Sequence, residues 1–182
     1  VTVGSTRWPN TNASDARSYD RFESVCTSET NSCNSWNEMC RTRSLLTSKN
    51  RAARLDDFLT LMRMSDTEKA EFMTPRQEGF FRDMARRMSQ LGLIKLFFME
   101  LEGNLVASSI CFDYGSSRLL YNSGYNPDYS YYSVGLLLHA LCLRDAIEQG
   151  KEYFDFLRGS EPYKYHLGGQ NQILYQMVVK QS

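Results

Sequence analysis

The side chains best suited to chemistry lie together in one short stretch, DFLRGSEPYK, which runs from Asp155 to Lys164. A carboxylate such as Asp155 or Glu161 could accept a proton from a nucleophile, and the Lys164 cation could stabilise negative charge that develops on an oxygen. Tyr163 could hold a leaving group. The same charges, together with that of Arg158, could equally form an ion network that fixes the loop without any proton transfer.

A second candidate site is the start of a helix that is predicted to open near Ser133. Gly135 lies in its first turn and the helix follows a strand, so backbone N–H groups without a partner inside the helix could face an anion. A glycine would let such an anion approach the backbone closely. Without a ligand, the same sequence describes a helix that enters beneath an aromatic loop of packed tyrosines.

The elements that must position these residues follow from apolar spacing and from turn signals. Helical spacing predicts one helix over 55–64 and a second from Thr74, an N-cap followed by Pro75, to the helix stop at Gly92. Strands are predicted at 93–101, 105–114, 118–123, 153–156 and 172–179, and the helix from Ser133 to Gly150 connects the third strand to the fourth. This order predicts an α/β fold with a mixed sheet.

The composition fits a globular protein and excludes several classes. Hydrophobic residues make up 42%, and 21 Lys and Arg balance 21 Asp and Glu, so the net charge does not favour a nucleic-acid partner. The sequence contains no run of about eighteen apolar residues, the length needed to span a membrane. The polar N-terminal region does not form an ordinary secretory signal. The five cysteines lack paired ligand spacing, which predicts reduced thiols in the cytoplasm and no metal site.

Residues 1–50 differ in amino-acid composition from the rest of the chain. Ser, Thr, Asn and charged residues dominate them. Such a composition buries too little apolar area to offset the entropy lost on ordering, which predicts a mostly disordered segment. The folded domain is therefore predicted over 51–182.

Three of the motifs together resemble a known family. The stretch DFLRGSEPYKY, preceded by SGYNPDY and SVGLLL and joined to them by a helix that ends in glycine, is similar to the FemAB/CelD-like branch of the GNAT acyltransferase superfamily, over about residues 55–169. The resemblance implies a GNAT-like mixed, mostly antiparallel sheet flanked by helices. In that fold two central strands splay apart, the pantetheine arm of an acyl-CoA lies in the gap, and its pyrophosphate binds the N-terminus of the helix that follows.

The resemblance also implies roles for particular residues. Four at the start of the helix would bind the acyl-CoA donor: Ser133, Val134, Gly135 and Leu136. Four in the loop would be catalytic: Lys164, Asp155, Glu161 and Tyr163. Two would contact the substrate: Tyr125 and Arg158. The superfamily's fuller donor motif, R/Q-x-x-G-x-G/A, is matched clearly only at its central glycine.

The function implied is transfer of an acyl group from a thioester donor, acyl-CoA, to an amine or hydroxyl. The acceptor would be a small molecule or a precursor of the cell envelope or of an exopolysaccharide. Relatives of this branch carry a further acyltransferase-like half upstream, so residues 1–50 would be the remnant of that half. The alternative is a non-catalytic GNAT-like remnant that serves as a binding module or subunit. No nucleic-acid partner is expected, since no basic surface is evident.

Overall fold

The computed structural model describes residues 3–9, 40–44, 51–175, 177 and 179. Seven strands form one sheet, and five α-helices and a 3₁₀ segment are described with them. The strands are β1 (Val3–Pro9), β2 (Cys40–Ser44), β3 (Ile94–Leu101), β4 (Asn104–Tyr114), β5 (Ser117–Tyr125), β6 (Tyr153–Arg158) and β7 (Gln170–Leu174). The helices are α1 (Arg51–Ser65), α2 (Thr67–Phe72), α3 (Pro75–Gln90), α4 (Val134–Glu148) and α5 (Pro162–His166), and the 3₁₀ segment is Pro127–Tyr132.

The sheet is mixed and mostly antiparallel. Its strand order is β2-β3-β4-β5-β6-β1-β7, and β5 and β6 are the parallel pair. All other neighbouring strands run antiparallel. The predicted fold class, a mixed and mostly antiparallel sheet flanked by helices, is confirmed.

Local signals placed most of the helices and strands correctly. The Thr74 hydroxyl accepts a hydrogen bond from the Gln77 N–H, Pro75 is the first residue of α3, and Gly92 follows the helix with a φ of 70°. These contacts satisfy the helix termini in the manner the sequence predicted. The helices predicted over 55–64 and from Ser133 to Gly150 and the strands predicted between residues 93 and 156 are also present, with ends shifted by a few residues.

Three parts of the chain differ from the prediction. The short helices α2 and α5 lie where a polar break and a charged loop were predicted, and the last strand ends at Leu174 instead of Val179. Asp66 caps α2 through a hydrogen bond from the Glu68 N–H, and α5 begins at Pro162. A very short helix needs only a cap or a proline at its start. Such a helix is too short to show the apolar periodicity from which a helix is predicted.

Two stretches of the segment 1–50, which is predicted to be mostly disordered, form strands of the sheet. β1 lies between β6 and β7, and β2 pairs with β3 at the other edge of the sheet. Backbone pairing with strands more than fifty residues away orders these stretches, and composition alone does not reveal such pairing. The rest of that segment lies outside the described residues, and the domain boundary at residue 51 stays a prediction.

The two faces of the sheet carry two separate apolar cores. One packs α4 against β3, β4 and β6, and includes Phe97, Cys111 and Cys142. The other packs α1 and α3 against the opposite face, around Phe58 and Ile110. The two cysteines are buried and form no disulfide among the described residues, and they pack as small apolar side chains.

Gly124 sets how closely α1 approaches the sheet. A Cβ atom at this position would overlap the backbone of Met62 in α1. A strand glycine of this kind marks a place where two backbone segments meet directly. The absence of a side chain at Gly124 therefore fixes the end of β5 against the first helix.

β5 and β6 diverge soon after they begin. Their parallel pairing covers only three positions, ending with Leu119 opposite Asp155. β5 continues to Tyr125 and β6 to Arg158 without pairing to each other. A gap therefore opens between the two strands toward their carboxyl ends.

A buried arginine lies at the base of this gap. The Arg118 guanidinium bonds to both carboxylate oxygens of Asp113, to the Asp145 carboxylate and to the Gln149 side chain, and it stacks over the Phe97 ring at 5.3 Å. Its side chain is fully buried. Because Asp145 lies on α4 and Gln149 directly follows it, the cluster ties that helix to β4 and β5 at the point where the strands separate.

Candidate functional site

A cavity of about 240 Å³ opens at the carboxyl end of β5, where β6 has diverged. Helices α2, α4 and α5 and strands β4 and β5 contribute its walls. The lining residues are Lys69, Ser108, Ser109, Ser123, Gly124, Tyr125, Gly135, Leu136, Leu138, His139 and Tyr163. The gap between the parallel strands and this cavity form the candidate site.

The N-terminus of α4 borders the cavity and lacks a side-chain cap. Ser133 has left-handed backbone angles, with φ 50° and ψ 36°, and its hydroxyl makes no capping bond to the helix. The N–H groups of the first turn, residues 134–136, therefore keep the hydrogen-bonding capacity that a cap would have used. Gly135 leaves room there, since an added Cβ would make only ordinary contact, 3.6 Å from Tyr125 Cδ1.

Lys164 lies beneath the loop instead of facing the cavity. Its side chain is only 2% exposed, and Nζ donates to the Arg158 carbonyl at 2.8 Å, with the Leu157 and Gly159 carbonyls at 3.5 Å. It also pairs with the Glu161 carboxylate at 2.9 Å. Of the two interpretations of this stretch, these contacts favour the ion network that fixes the loop.

The other charged residues of the motif complete this loop. Asp155 is buried and accepts a hydrogen bond from the Leu157 N–H at 2.8 Å, and Leu157 has a positive φ of 57°. Gly159 has a φ of 115°, a backbone conformation that favours glycine, and the Glu161 carboxylate folds back against it. Arg158 contributes its carbonyl, while its side chain is exposed. The motif thus builds a turn that leads into α5.

Tyr163 is the residue of this motif that lines the cavity. Its ring lies 4.9 Å from the His139 ring and 6.2 Å from the Phe156 ring, measured between centroids. Burial raises the pKa of Tyr163 to about 12, and the nearby Glu161 charge adds to the effect. The phenol is therefore neutral at physiological pH and can donate a hydrogen bond or a proton.

His139, Ser108, Ser109 and Lys69 were not predicted as site residues. Both nitrogens of His139 and both serine hydroxyls are buried without a hydrogen-bond partner in the part of the chain that the structure describes. Burial, followed by the charges of Lys69 and Lys164, lowers the pKa of His139 to about 4, so the imidazole is neutral. Buried polar atoms without partners are rare in folded proteins and call for an explanation.

The sequence held one signal for His139. Gly135 and His139 are four residues apart on one helix, which places them on the same face. If the first turn of α4 faces a ligand, a histidine one turn further along faces the same side. No comparable signal marks the serines of β4 or Lys69 of α2, because the sheet and the packing of α1 bring them here.

The structure brings together four of the residues predicted for the site. Tyr125, Gly135, Leu136 and Tyr163 all line the cavity. Six others are not among the lining residues: Ser133, Val134, Asp155, Arg158, Glu161 and Lys164. Val134 is buried beneath the start of α4, whereas Ser133 precedes that helix at the surface.

The sequence from residue 40 to residue 165 matches the family described as the acetyltransferase (GNAT) domain. This match covers more than half of the chain. The chain belongs to the GNAT acetyltransferase family. A GNAT domain accounts for the parallel strand pair that splays and for the helix that starts beside the gap. No curated protein matches the chain by sequence.

Solved structures with the same fold include FemX, which the chain resembles with a TM-score of 0.64 at 10% sequence identity. That alignment covers 92% of this chain and 59% of FemX, so the chain spans less than two thirds of that protein. A conserved protein of unknown function from Staphylococcus epidermidis gives 0.55 at 11% identity, covering 94% of this chain and 58% of that one. An aminoglycoside acetyltransferase from an uncultured soil metagenomic sample, in complex with sisomicin, gives 0.51 at 15% identity, with 80% and 99% covered.

Two further observations concern the described residues only. None of their helices has both the length and the apolar character needed to cross a bilayer. Within the same residues, no cluster of three or more His, Cys, Asp and Glu side chains is placed to hold a metal ion.

Proposed function

We propose that this GNAT domain transfers an acyl group from acyl-CoA to an amine or hydroxyl acceptor. The observation that carries the proposal is the divergence of β5 and β6 after three paired positions, with a cavity at the end of β5 beside an uncapped helix N-terminus. A gap between parallel strands exposes backbone groups to an extended ligand, and a helix N-terminus attracts a phosphate at one end of it.

The donor would lie with its pyrophosphate at the start of α4 and its pantetheine arm in the gap. Backbone N–H groups of residues 134–136 would bind the phosphate oxygens, and Gly135 would let them approach closely. The half-buried Tyr125 ring, next to Gly135, would pack along the arm. The thioester would then reach the cavity, where Tyr163 lies.

In the reaction, the acceptor nitrogen or oxygen attacks the thioester carbonyl, a new C–N or C–O bond forms and the C–S bond breaks. Tyr163 gives its phenolic proton to the departing thiolate, and the proton lost by the acceptor restores the neutral phenol. A pKa of about 12 keeps Tyr163 protonated at neutral pH, so its O–H is available to the departing thiolate. Lys164, Asp155 and Glu161 act as positioning residues, because their contacts hold the turn that carries Tyr163.

The FemAB-like sequence motifs support a cell-envelope or exopolysaccharide precursor as the acceptor. The donor can be tested without knowing the acceptor. Calorimetric titration with acetyl-CoA should give saturable binding of one molecule per chain, whereas no binding would favour a non-catalytic binding module.

A further inference from the structure

The described lining of the cavity has a positive charge and several hydrogen-bond donors but no negative charge. Lys69 is the charged side chain that lines it, and no carboxylate does so among the described residues. The Lys69 ammonium donates to the Ser123 carbonyl at 2.8 Å, which uses one of its three N–H groups. Among the residues that the structure describes, the positive charge at this wall is therefore only partly satisfied.

Asp66 does not neutralise that charge at the cavity. Its carboxylate is exposed and accepts the Glu68 N–H as the cap of α2, although its charge still acts on Lys69. Burial lowers the pKa of Lys69 despite the opposing effect of Asp66. The ammonium is thus held in partly dehydrated surroundings, where a charge attracts a counter-ion more strongly than in water.

The neutral side chains of the cavity add donors to the Lys69 charge. Strand alternation places Ser109 on the face packed against α4, with its cross-strand partner Phe97, and Ser108 on the opposite face, from which α1 and α2 approach. Within the described part of the chain, each serine hydroxyl has an O–H and His139 has an N–H without a partner, and the Tyr163 phenol adds another donor. Burial lowers the pKa of His139, and the charges of Lys69 and Lys164 lower it further, so both cations act on the imidazole.

We propose that the cavity binds a small oxyanion, best matched by a carboxylate, that is carried by one of the two substrates. The volume of about 240 Å³ suits a small substituent, since pockets that enclose a drug-sized ligand measure roughly 300–1,000 Å³. An ammonium group would meet the Lys69 charge and find no carboxylate in the lining. The claim that a substrate carries the carboxylate rests on the proposed acyl transfer. The claim that the cavity binds an oxyanion rests on the lining residues alone.

The two histidines of the chain give a direct way to observe binding. His139 lines the cavity, whereas His166 is exposed at the end of α5, so a His166→Gln variant assigns the His139 imidazole signal in an NMR spectrum. Three probes of equal length, butyrate, butyramide and butylammonium, are titrated at constant ionic strength. Butyrate should shift the His139 signal saturably and bind about tenfold more tightly than butyramide, and butylammonium should give no saturable shift.

Variants of Lys69 separate charge recognition from a general effect on the fold. Lys69→Met should remove the tenfold preference for butyrate, and Lys69→Arg should keep most of it. Lys95→Met is the matched control, because Lys95 lies on β3 outside the lining and its loss should leave the preference unchanged. Equal binding of butyrate and butyramide, no shift with butyrate, or butylammonium binding as tightly as butyrate would overturn the inference.

Two further titrations identify which substrate carries the carboxylate and test the proposed function separately. Succinyl-CoA binding about tenfold more tightly than butyryl-CoA assigns the carboxylate to the acyl group. Equal affinities, with butyrate still binding to the chain saturated with acetyl-CoA, assign the carboxylate to the acceptor. If neither of these two patterns is observed, the assignment of the carboxylate to a substrate is refuted. Butyrate binding without any binding of CoA thioesters would leave the oxyanion site standing while the acyltransferase proposal fails.

Discussion

The imidazole ring of His139 lies 4.9 Å from the phenol ring of Tyr163, with the two ring planes inclined by 37°. The two residues come from different elements, α4 and α5, and both line the cavity at the end of β5. The buried Lys164, which bonds to the turn before α5, helps to hold Tyr163 in this place. The geometry of the site therefore depends on a turn whose charged residues lie outside the cavity.

Replacing Tyr163 by Phe should lower the rate of acyl transfer about a hundredfold, because the leaving thiolate loses its proton donor. Acetyl-CoA affinity should change little, since the ring remains. The release of free CoA, followed with a thiol reagent, measures the rate. Tyr165→Phe is the control, because Tyr165 Oη bonds to Asn171 outside the cavity. Equal activity of the two variants would exclude Tyr163 as the proton donor.

Replacing Lys164 by Met should lower the free energy of unfolding by about 3 kcal/mol, because carbonyls of the turn and the Glu161 carboxylate lose the buried ammonium as their partner. Glu161→Gln should cost less than about 1 kcal/mol, since the Glu161 side chain is 54% exposed. Urea unfolding of the two variants provides the comparison. A fully stable Lys164→Met protein without activity would instead support a direct catalytic role for Lys164.

Two glycines of the site should respond differently to alanine. Gly124→Ala should destabilise the fold by about 3 kcal/mol, because the new methyl group would overlap the Met62 backbone. Gly135→Ala should be neutral or stabilising, because its nearest new contact is 3.6 Å away and alanine favours the helix by about 1 kcal/mol. Thermal unfolding measures both. Similar melting temperatures for the two variants would show that α1 is not packed directly on β5.

A charge placed at the start of α4 should separate stability from donor binding. Gly135→Asp should leave the free energy of unfolding unchanged or raised, because a carboxylate in a first helical turn is favourable. It should weaken acetyl-CoA binding at least tenfold, because the carboxylate would repel the pyrophosphate. Gly135→Asn supplies a side chain of the same shape without the charge and should bind acetyl-CoA more tightly than Gly135→Asp. Unaltered affinity in Gly135→Asp would remove the donor phosphate from this helix terminus.

The Arg118 cluster should make the free energy of unfolding decrease at acid pH. Burial alone would raise the pKa of Asp113, but the hydrogen bonds and charge of Arg118 outweigh burial and hold the pKa below its usual 3.8. A carboxyl group with a lowered pKa in the folded state stabilises the protein above that usual value and loses its contribution as the pH falls through the folded pKa. Urea unfolding at pH 7 and at pH 3 should therefore show a smaller loss of stability on acidification in Asp113→Asn than in the unaltered chain. An equal loss in both proteins would place the acid sensitivity elsewhere.

Local sequence signals predicted the elements but not their long-range assembly. The Thr74–Pro75 start and the Gly92 stop defined α3 because caps and helix stops act within a few residues. β1 was missed because its order comes from pairing with β6 and β7, more than 140 residues away along the chain. No local pattern in a polar segment records such a pairing.

The residues of the candidate site could likewise be predicted from local motifs but not where long-range packing brings them together. Gly135 and Tyr163 were found because they belong to compact motifs, and both line the cavity. Lys164 was assigned to catalysis because charge and spacing do not reveal burial, and the structure shows its ammonium under three carbonyl groups. His139 and Ser109 come from separate elements, and only the packing of α4 on β4 brings them to one cavity.

The proposal that a thioester reaches the cavity between the diverged strands is tested most directly by following the His139 imidazole signal while acetyl-CoA is added. The proposal predicts one saturable shift of that signal, with the same dissociation constant as calorimetry gives for acetyl-CoA. Binding by calorimetry that leaves the His139 signal unmoved, or no binding at all, would contradict it.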